Sequence, residues 1–352
     1  MEARHPTPPV RSLRMTGASL TSSGALNGLP MQVRYSTLLL FMGFAPFALC
    51  LVLLDQLFLD GLLQDVMHIG TEHMINLMAI LTFPHIVASL ISFADREYIS
   101  YYRTPLIKML VVSFGLAIAS KVILGGNFIM IVVAFYSLYH NIMQQFGIAS
   151  MMLGKKPDTR YKAIKWLLVV PSCLGYAVVT FPFFPGMGEY HEVYMHIVGL
   201  CIGIATVMAA QYYARIHNDK TIPAIGKIYF MSNVLWMLVT YAMILADYAN
   251  LAILVSRVVH DFTAYWIYTV HDTNRNTGKI HNRIYAAAAK IGLRPRHILL
   301  PLSLLVSGSL LLLEGKGDFI AILIGAVNMM HYYIEGHMWK RGTPHRQYVP
   351  FV

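Results

Sequence analysis

Four histidines carry the chemistry written most plainly in this chain. His85, His140, His260 and His331 stand in FPHIVASL, YHNIMQQFG, VVHDFTAYW and MMHYYIEGHMWK, each inside a long apolar run. Imidazole with carboxylate and without thiolate suits non-haem iron, zinc, copper or manganese. Glu335 follows His331 by four residues and Gln144 follows His140 by four, so each pair shares a helix face. Glu335 is therefore a candidate ligand or bridge, and Gln144 a candidate orienting group. Asp261 sits beside His260, turned by about 100° around a helix, and is expected to meet a different element. A salt bridge with Arg257 is its plainer reading. His271, eleven residues beyond His260, returns to nearly the same face. With His337 it forms either an outer ligand layer or ordinary interfacial polar residues.

Groups of this kind need elements that carry them into a low-dielectric interior. The 352 residues are 57% hydrophobic and 12% charged, with a mean hydropathy of +0.56. An ordinary soluble domain carries about 25% charged residues. Apolar runs recur at roughly 37–58, 73–93, 106–124, 128–151, 166–184, 193–213, 228–246, 251–270, 298–313 and 319–339. Most are close to the ~20 residues that cross ~30 Å of hydrocarbon, which predicts an all-α, polytopic transmembrane bundle of about ten spans.

Loop charge provides a separate check on this parse. Of the 27 Lys and Arg, 24 fall on one side, in the N-terminal segment, in the loops near 96–108, 155–165, 215–227 and 275–296, and at the C-terminus. Positive loops stay in the cytoplasm, so both termini are expected there, in an integral protein of a bacterial inner membrane. The four histidine-bearing runs then all cross from outside to inside. At 1.5 Å per residue their imidazoles lie roughly 14 to 18 Å below the outer edge. Ionisable groups at that depth are costly and usually face the bundle interior in a functional role. One such histidine would as readily be a helix-to-helix hydrogen bond, but four at one depth are expected to share a metal.

Other segments set boundaries on the reading. Residues 1–35 read as a disordered cytoplasmic tail or a targeting segment, 36–340 as the membrane domain and 341–352 as a C-terminal tail. Cys50, Cys173 and Cys201 lie apart in apolar runs and form neither a disulfide framework nor a thiolate metal motif. The net charge of +10 sits in membrane-flanking loops, where it meets anionic lipid rather than nucleic acid. The loop 272–296, with IYAAAAKIGL, is expected to hold a short amphipathic surface helix. HIGTEH, with His68 and His73, and the histidines His191 and His196 read as outer-loop polar residues. Tyrosines such as Tyr136 and Tyr332 read as packing residues or as a substrate-channel lining.

The four histidine blocks, spread over residues 73 to 339, resemble the Brp/Blh-type bacterial carotene dioxygenases. The last two blocks are also similar to segments of unassigned multi-span bacterial proteins grouped with that family. The resemblance implies iron held by His85, His140, His260 and His331, and oxidative cleavage of a polyene to aldehydes. The expectation that follows is a membrane-embedded, histidine-ligated iron oxygenase with O2, a lipophilic small molecule and an electron donor as its partners. Two further readings use the same residues. One is a b-type haem protein with His85 and His260 as an axial pair and His271 with His337 around a second haem. The other is a proton-coupled transporter with the histidines as a relay, although no internal repeat supports it.

Overall fold

The computed structural model describes residues 31–67, 71–123, 126–180, 190–313, 318–340 and 342–352. The described residues are helical, without strands, and hold two isolated backbone bridges, Val33 with Phe351 and Asp95 with Asn282. The first apolar run becomes α1 (Tyr35–Met42) and α2 (Phe44–Phe58), followed by the short α3 (Leu62–Met67). Then come α4 (Thr71–Ile91), the short α5 (Arg96–Tyr101), α6 (Arg103–Ile123), α7 (Gly126–Met152), α8 (Thr159–Thr180), α9 (His191–His217), α10 (Ala224–Leu245) and α11 (Ala249–Arg275). The chain ends with α12 (Arg283–Ala289), α13 (Pro295–Leu312), α14 (Asp318–Met338) and α15 (Pro344–Gln347).

Every apolar run coincides with a helix, but three helical units among the described residues are long and apolar enough to cross a membrane. They are Tyr35–Phe58, α9 and α10. Ten spans are therefore not supported by length and composition, and for two of the other helices the reason is visible. α11 carries Arg257, His260, Asp261, His271 and Asp272, and α14 carries His331 and Glu335. A helix that delivers ionisable groups to a shared interior is less apolar by composition, and it need not be apolar all round because its neighbours cover that face. Leu57, Val111, Leu200, Val207 and Leu305 are each more than half exposed, spread over α2, α6, α9 and α13. Apolar surface of that extent suits contact with lipid.

Four helices define the interior. α4 packs on α11 and α14, and α7 packs on the same two, so α4, α11, α7 and α14 close a ring. Each of them carries one of the four histidines. α10 flanks α7 and α11 from outside the ring. Gly226 allows a close approach there, because a Cβ at that position would collide with the Met152 carbonyl at the end of α7. The start of α11 is also anchored. Asp55, fully buried at the end of α2, accepts hydrogen bonds from the Leu63 and Gln64 backbone N–H groups at 2.8 and 3.0 Å. It also accepts from the Tyr248 hydroxyl at 2.7 Å, and Tyr248 directly precedes α11.

The C-terminal segment differs from the expected free tail. His345 and Val349 are buried, Val33 pairs with Phe351, and Tyr35 N–H donates to the Val352 carbonyl at 2.8 Å. Asn274 on α11 binds the Met31 backbone through both its amide atoms and donates to the Tyr348 carbonyl. Residues 31–35 are therefore ordered too, whereas the rest of the expected N-terminal tail, residues 1–30, lies outside the described residues. Polar composition suggested a tail, but backbone pairing and one buried asparagine organise it. The surface helix expected in the 272–296 loop is present as α12, capped by the Asn282 side chain on the Ile284 and Tyr285 N–H groups.

Candidate metal centre

α4 brings His85 and Ser89 to one face, four residues apart, and places Thr82 one turn before. Pro84 lies between them and has no N–H to give to the Ile80 carbonyl, a gap tolerated where neighbouring helices cover the segment. α14 delivers His331 and Glu335 by the same four-residue spacing, α7 delivers His140, and α11 delivers His260, Asp261 and Tyr268. The rings converge. Centroid separations are 4.7 Å for His85 and His331, 5.0 Å for His85 and His260, 4.9 Å for His140 and His260, and 5.3 Å for His140 and His331.

Two overlapping groups of donor atoms result, His85 with His260 and His331, and His140 with His331 and Glu335, each lying within 4.8 Å. His85 Nε2 and His331 Nε2 are 3.1 Å apart, and His140 Nε2 lies 3.0 Å from Glu335 Oε2. Metal–nitrogen bonds of ~2.1 Å place adjacent ligand atoms about 3.0 to 3.4 Å apart, and opposite ones about 4.2 Å. The 3.1 and 3.0 Å separations fall in that range, and the two groups share His331. The buried histidine groups could hold a metal ion.

The hydrogen bonds behind the rings orient them. Ser89 donates its one hydroxyl proton to the Ile86 carbonyl at 2.7 Å, so at 2.8 Å from His331 Nδ1 it accepts. The network thus assigns the proton of His331 to Nδ1 and the lone pair to Nε2, facing the cluster. On His85, Asp261 Oδ1 stands 3.1 Å from Nδ1, and Thr82 donates to the other carboxylate oxygen at 3.2 Å. Neither His85 Nδ1 nor Asp261 Oδ1 has a hydrogen-bond partner among the described residues, so the carboxylate stands beside the ring without fixing its tautomer. The two Nε2 atoms, 3.1 Å apart, share one hydrogen bond if one ring donates, or both present a lone pair to a cation. His260 is the starker case. It is fully buried, and neither ring nitrogen has a hydrogen-bond partner among the described residues. Such an omission costs about 1–3 kcal/mol per group. Tyr268 donates to Glu335 Oε1, holding the carboxylate so that Oε2 points to His140.

The structure thus brings together His85, His140, His260, His331 and Glu335, with Asp261 reaching across to α4 as expected of a residue turned away from His260. The remaining expected residues lie elsewhere. His271 joins no donor group; its two nitrogens face Asp272 Oδ1 at 2.7 Å and the Tyr98 hydroxyl at 2.8 Å. His337 is half-buried, and its Nδ1 lies 3.1 Å from the Tyr333 carbonyl of its own helix. His271 lies three turns, some 16 Å, along the axis from His260, and His337, six residues from His331, is turned to a different face of its helix. Gln144 is half-buried, and its Oε1 has no hydrogen-bond partner among the described residues, so the orienting role expected of it falls to others. Those are Ser89, Thr82 and Tyr268. Ser89 left a trace in the sequence, as a polar residue one turn from His85 in an apolar run, and Tyr268 left none. His191 and His196 are exposed on the first turns of α9, and HIGTEH lies outside the described residues in its first half.

Comparison of the chain with protein-family models, with curated proteins and with solved structures returns no match.

Proposed function

We propose that this chain is a membrane-embedded, non-haem metal oxidoreductase that oxygenates a lipophilic substrate with O2. The supporting observation is the buried convergence of four imidazoles and one carboxylate, several of whose polar atoms lack hydrogen-bond partners among the described residues. His85, His140, His260, His331 and Glu335 are the ligand set. An imidazole nitrogen has one lone pair to give, and His331 Nε2 stands near both donor groups, so the arrangement favours one ion over two. Iron is the metal of choice, since nitrogen and carboxylate donors suit it and a bound ferrous ion supplies a redox centre for O2. Ser89 holds the proton of His331 on its outer nitrogen, Asp261 stands beside His85, Tyr268 fixes Glu335, and the surrounding apolar helices exclude bulk water.

The proposal places the chain in a bacterial inner membrane with ten spans and cytoplasmic termini, on the strength of the ten helical apolar runs and the one-sided distribution of Lys and Arg. A haem reading fits less well. A porphyrin plane between His85 and His260 would need the space filled by two edge-to-face rings 5.0 Å apart, with His140 and His331 beside them.

Metal analysis of detergent-purified protein, with an absorption spectrum, tests the reading. About one iron per chain without a Soret band is expected, with the metal absent from the His140→Ala and His331→Ala variants. Full retention in both variants would refute it.

A further inference from the structure

A row of aromatic rings that the metal centre does not use leads from the histidine cluster to the outside of the bundle. It starts at Tyr332 on α14, 3% exposed, whose ring centroid lies 4.9 Å from that of His140 and 5.2 Å from that of His331. Tyr136 on α7 stands edge-on to Tyr332 at 5.4 Å. Tyr139, one turn along the same helix, lies parallel to Tyr136 with centroids 6.0 Å apart. Trp166 on α8 follows 6.1 Å beyond Tyr139 and is 44% exposed. Each step is within the range of aromatic pairs in contact.

Tyrosine and tryptophan are the aromatic side chains most readily oxidised by one electron, and the chemistry at each end of the row differs. The Tyr332 hydroxyl is buried and has no hydrogen-bond partner among the described residues. A tyrosine gives up an electron readily only when its hydroxyl proton can leave with it, so charge passes Tyr332 without resting there. Trp166 is the one tryptophan of the four that is exposed; the others are buried or half-buried. Lys165 Nζ lies 5.0 Å over the Trp166 ring. That ammonium opposes a second positive charge on the ring and favours loss of the indole proton together with the electron. The other tryptophan near the centre, Trp339, stands 5.5 Å from Tyr268 and ends half-buried.

We infer that Tyr332, Tyr136, Tyr139 and Trp166 form a path for single electrons between the surface and the metal centre, returning an oxidised centre to its reduced state when no substrate is bound. Trp166 loses one electron and its indole proton, the centre gains the electron, and a one-electron reductant of the ascorbate or quinol class restores Trp166 with an electron and a proton. The use of the path rests on the function proposed above; its conduction does not.

Such a path conducts in both directions, so the test drives it from the surface inward. Azide radicals made by pulse radiolysis oxidise exposed tryptophan on the detergent-purified full chain, and transient absorption follows the tryptophan radical and any tyrosine radical that replaces it. In the metal-free chain the tryptophan radical is expected to decay into a tyrosine radical at a rate independent of protein concentration. Trp166→Phe and Tyr139→Phe should each lose that phase, and Trp339→Phe should keep it. In the chain loaded with ferrous iron, the same pulse should produce ferric iron, and Tyr136→Leu should lose that oxidation at unchanged iron content. Absence of the tryptophan-to-tyrosine phase, its persistence in Trp166→Phe or Tyr139→Phe, its loss in Trp339→Phe, or undiminished iron oxidation in Tyr136→Leu would overturn the inference. A chain that shows the phase but never holds metal would keep the path and refute the oxygenase. An iron-loaded chain without the phase would do the reverse.

Discussion

α11 buries two polar clusters about three helical turns apart, and they are built differently. Around His271 nearly every polar atom has a partner. His271 stands between Asp272 and Tyr98, Asp272 accepts from Ser92 and Tyr285, and Arg275 binds Asp95, Glu97 and Tyr348. His345 stacks on His271 with ring centroids 4.6 Å apart and its Nδ1 lies 3.1 Å from the Tyr102 hydroxyl. Around His260 the outer nitrogen of His331 faces the Ser89 hydroxyl, while His85 Nδ1, both nitrogens of His260, His140 Nε2, Asp261 Oδ1 and Glu335 Oε2 lack hydrogen-bond partners among the described residues. The first cluster pairs nearly all its polar atoms, His345 Nε2 excepted, and ties α5, α11, α12, residues 31–35 and the C-terminal segment together. The second leaves ring nitrogens on three of its four histidines without a hydrogen-bond partner among the described residues. Buried polarity acts as structure where it is complete, and it becomes a site where the omissions converge on one point.

Substitutions can separate the two clusters. The largest effect is expected from His331→Ala, which removes the donor common to both groups. Metal retention should be lost altogether by elemental analysis, while hydrogen exchange of residues 342–352 stays as in the native chain. Arg275→Ala should do the opposite. It leaves Asp95, 2% exposed, without its guanidinium, and breaking such a buried pair costs about 3–5 kcal/mol. Thermal unfolding in detergent should show this loss, with the metal still bound in the folded fraction. Ser89→Ala takes away only the acceptor behind His331 and should weaken metal affinity by about 10- to 100-fold in a chelator competition, with insertion unchanged.

The smallest effect is expected from acid on the C-terminal clip. Burial, then His271 and Arg275, hold His345 well below the ordinary histidine value of 6.5. A base depressed in the fold is neutral there and binds more protons when released, so its docking is fully present above 6.5 and weakens as pH falls below it. Asp272, Tyr98, Tyr102 and Trp339 also border that region, and none of them replaces the lost neutrality. Glu97 behaves differently. Its hydrogen bond from Arg275 holds the carboxyl below its ordinary 4.5, so its contribution persists above 4.5 and disappears only as pH falls through the lower value. Exchange protection of residues 342–352 should therefore decline first in the histidine range, and Glu97→Gln should leave that decline in place.

Much of this arrangement was legible in the amino-acid order. Apolar runs located the helices because length and hydropathy are local properties. The four-residue spacing of His331 and Glu335 set a shared face, and similar depths for four histidines put them at one level. Depth and face say nothing of which helices are neighbours. Gln144 satisfies the same spacing rule as Glu335, yet its Oε1 has no hydrogen-bond partner among the described residues, and His271 satisfies the face rule but lies too far along the axis. Packing alone decided that Asp261 of α11 stands behind His85 of α4, and that Tyr268 reaches Glu335. These contacts join residues 176 and 67 positions apart. Helical periodicity acts over a few turns, whereas the ring of α4, α11, α7 and α14 exists only once their buried faces have met.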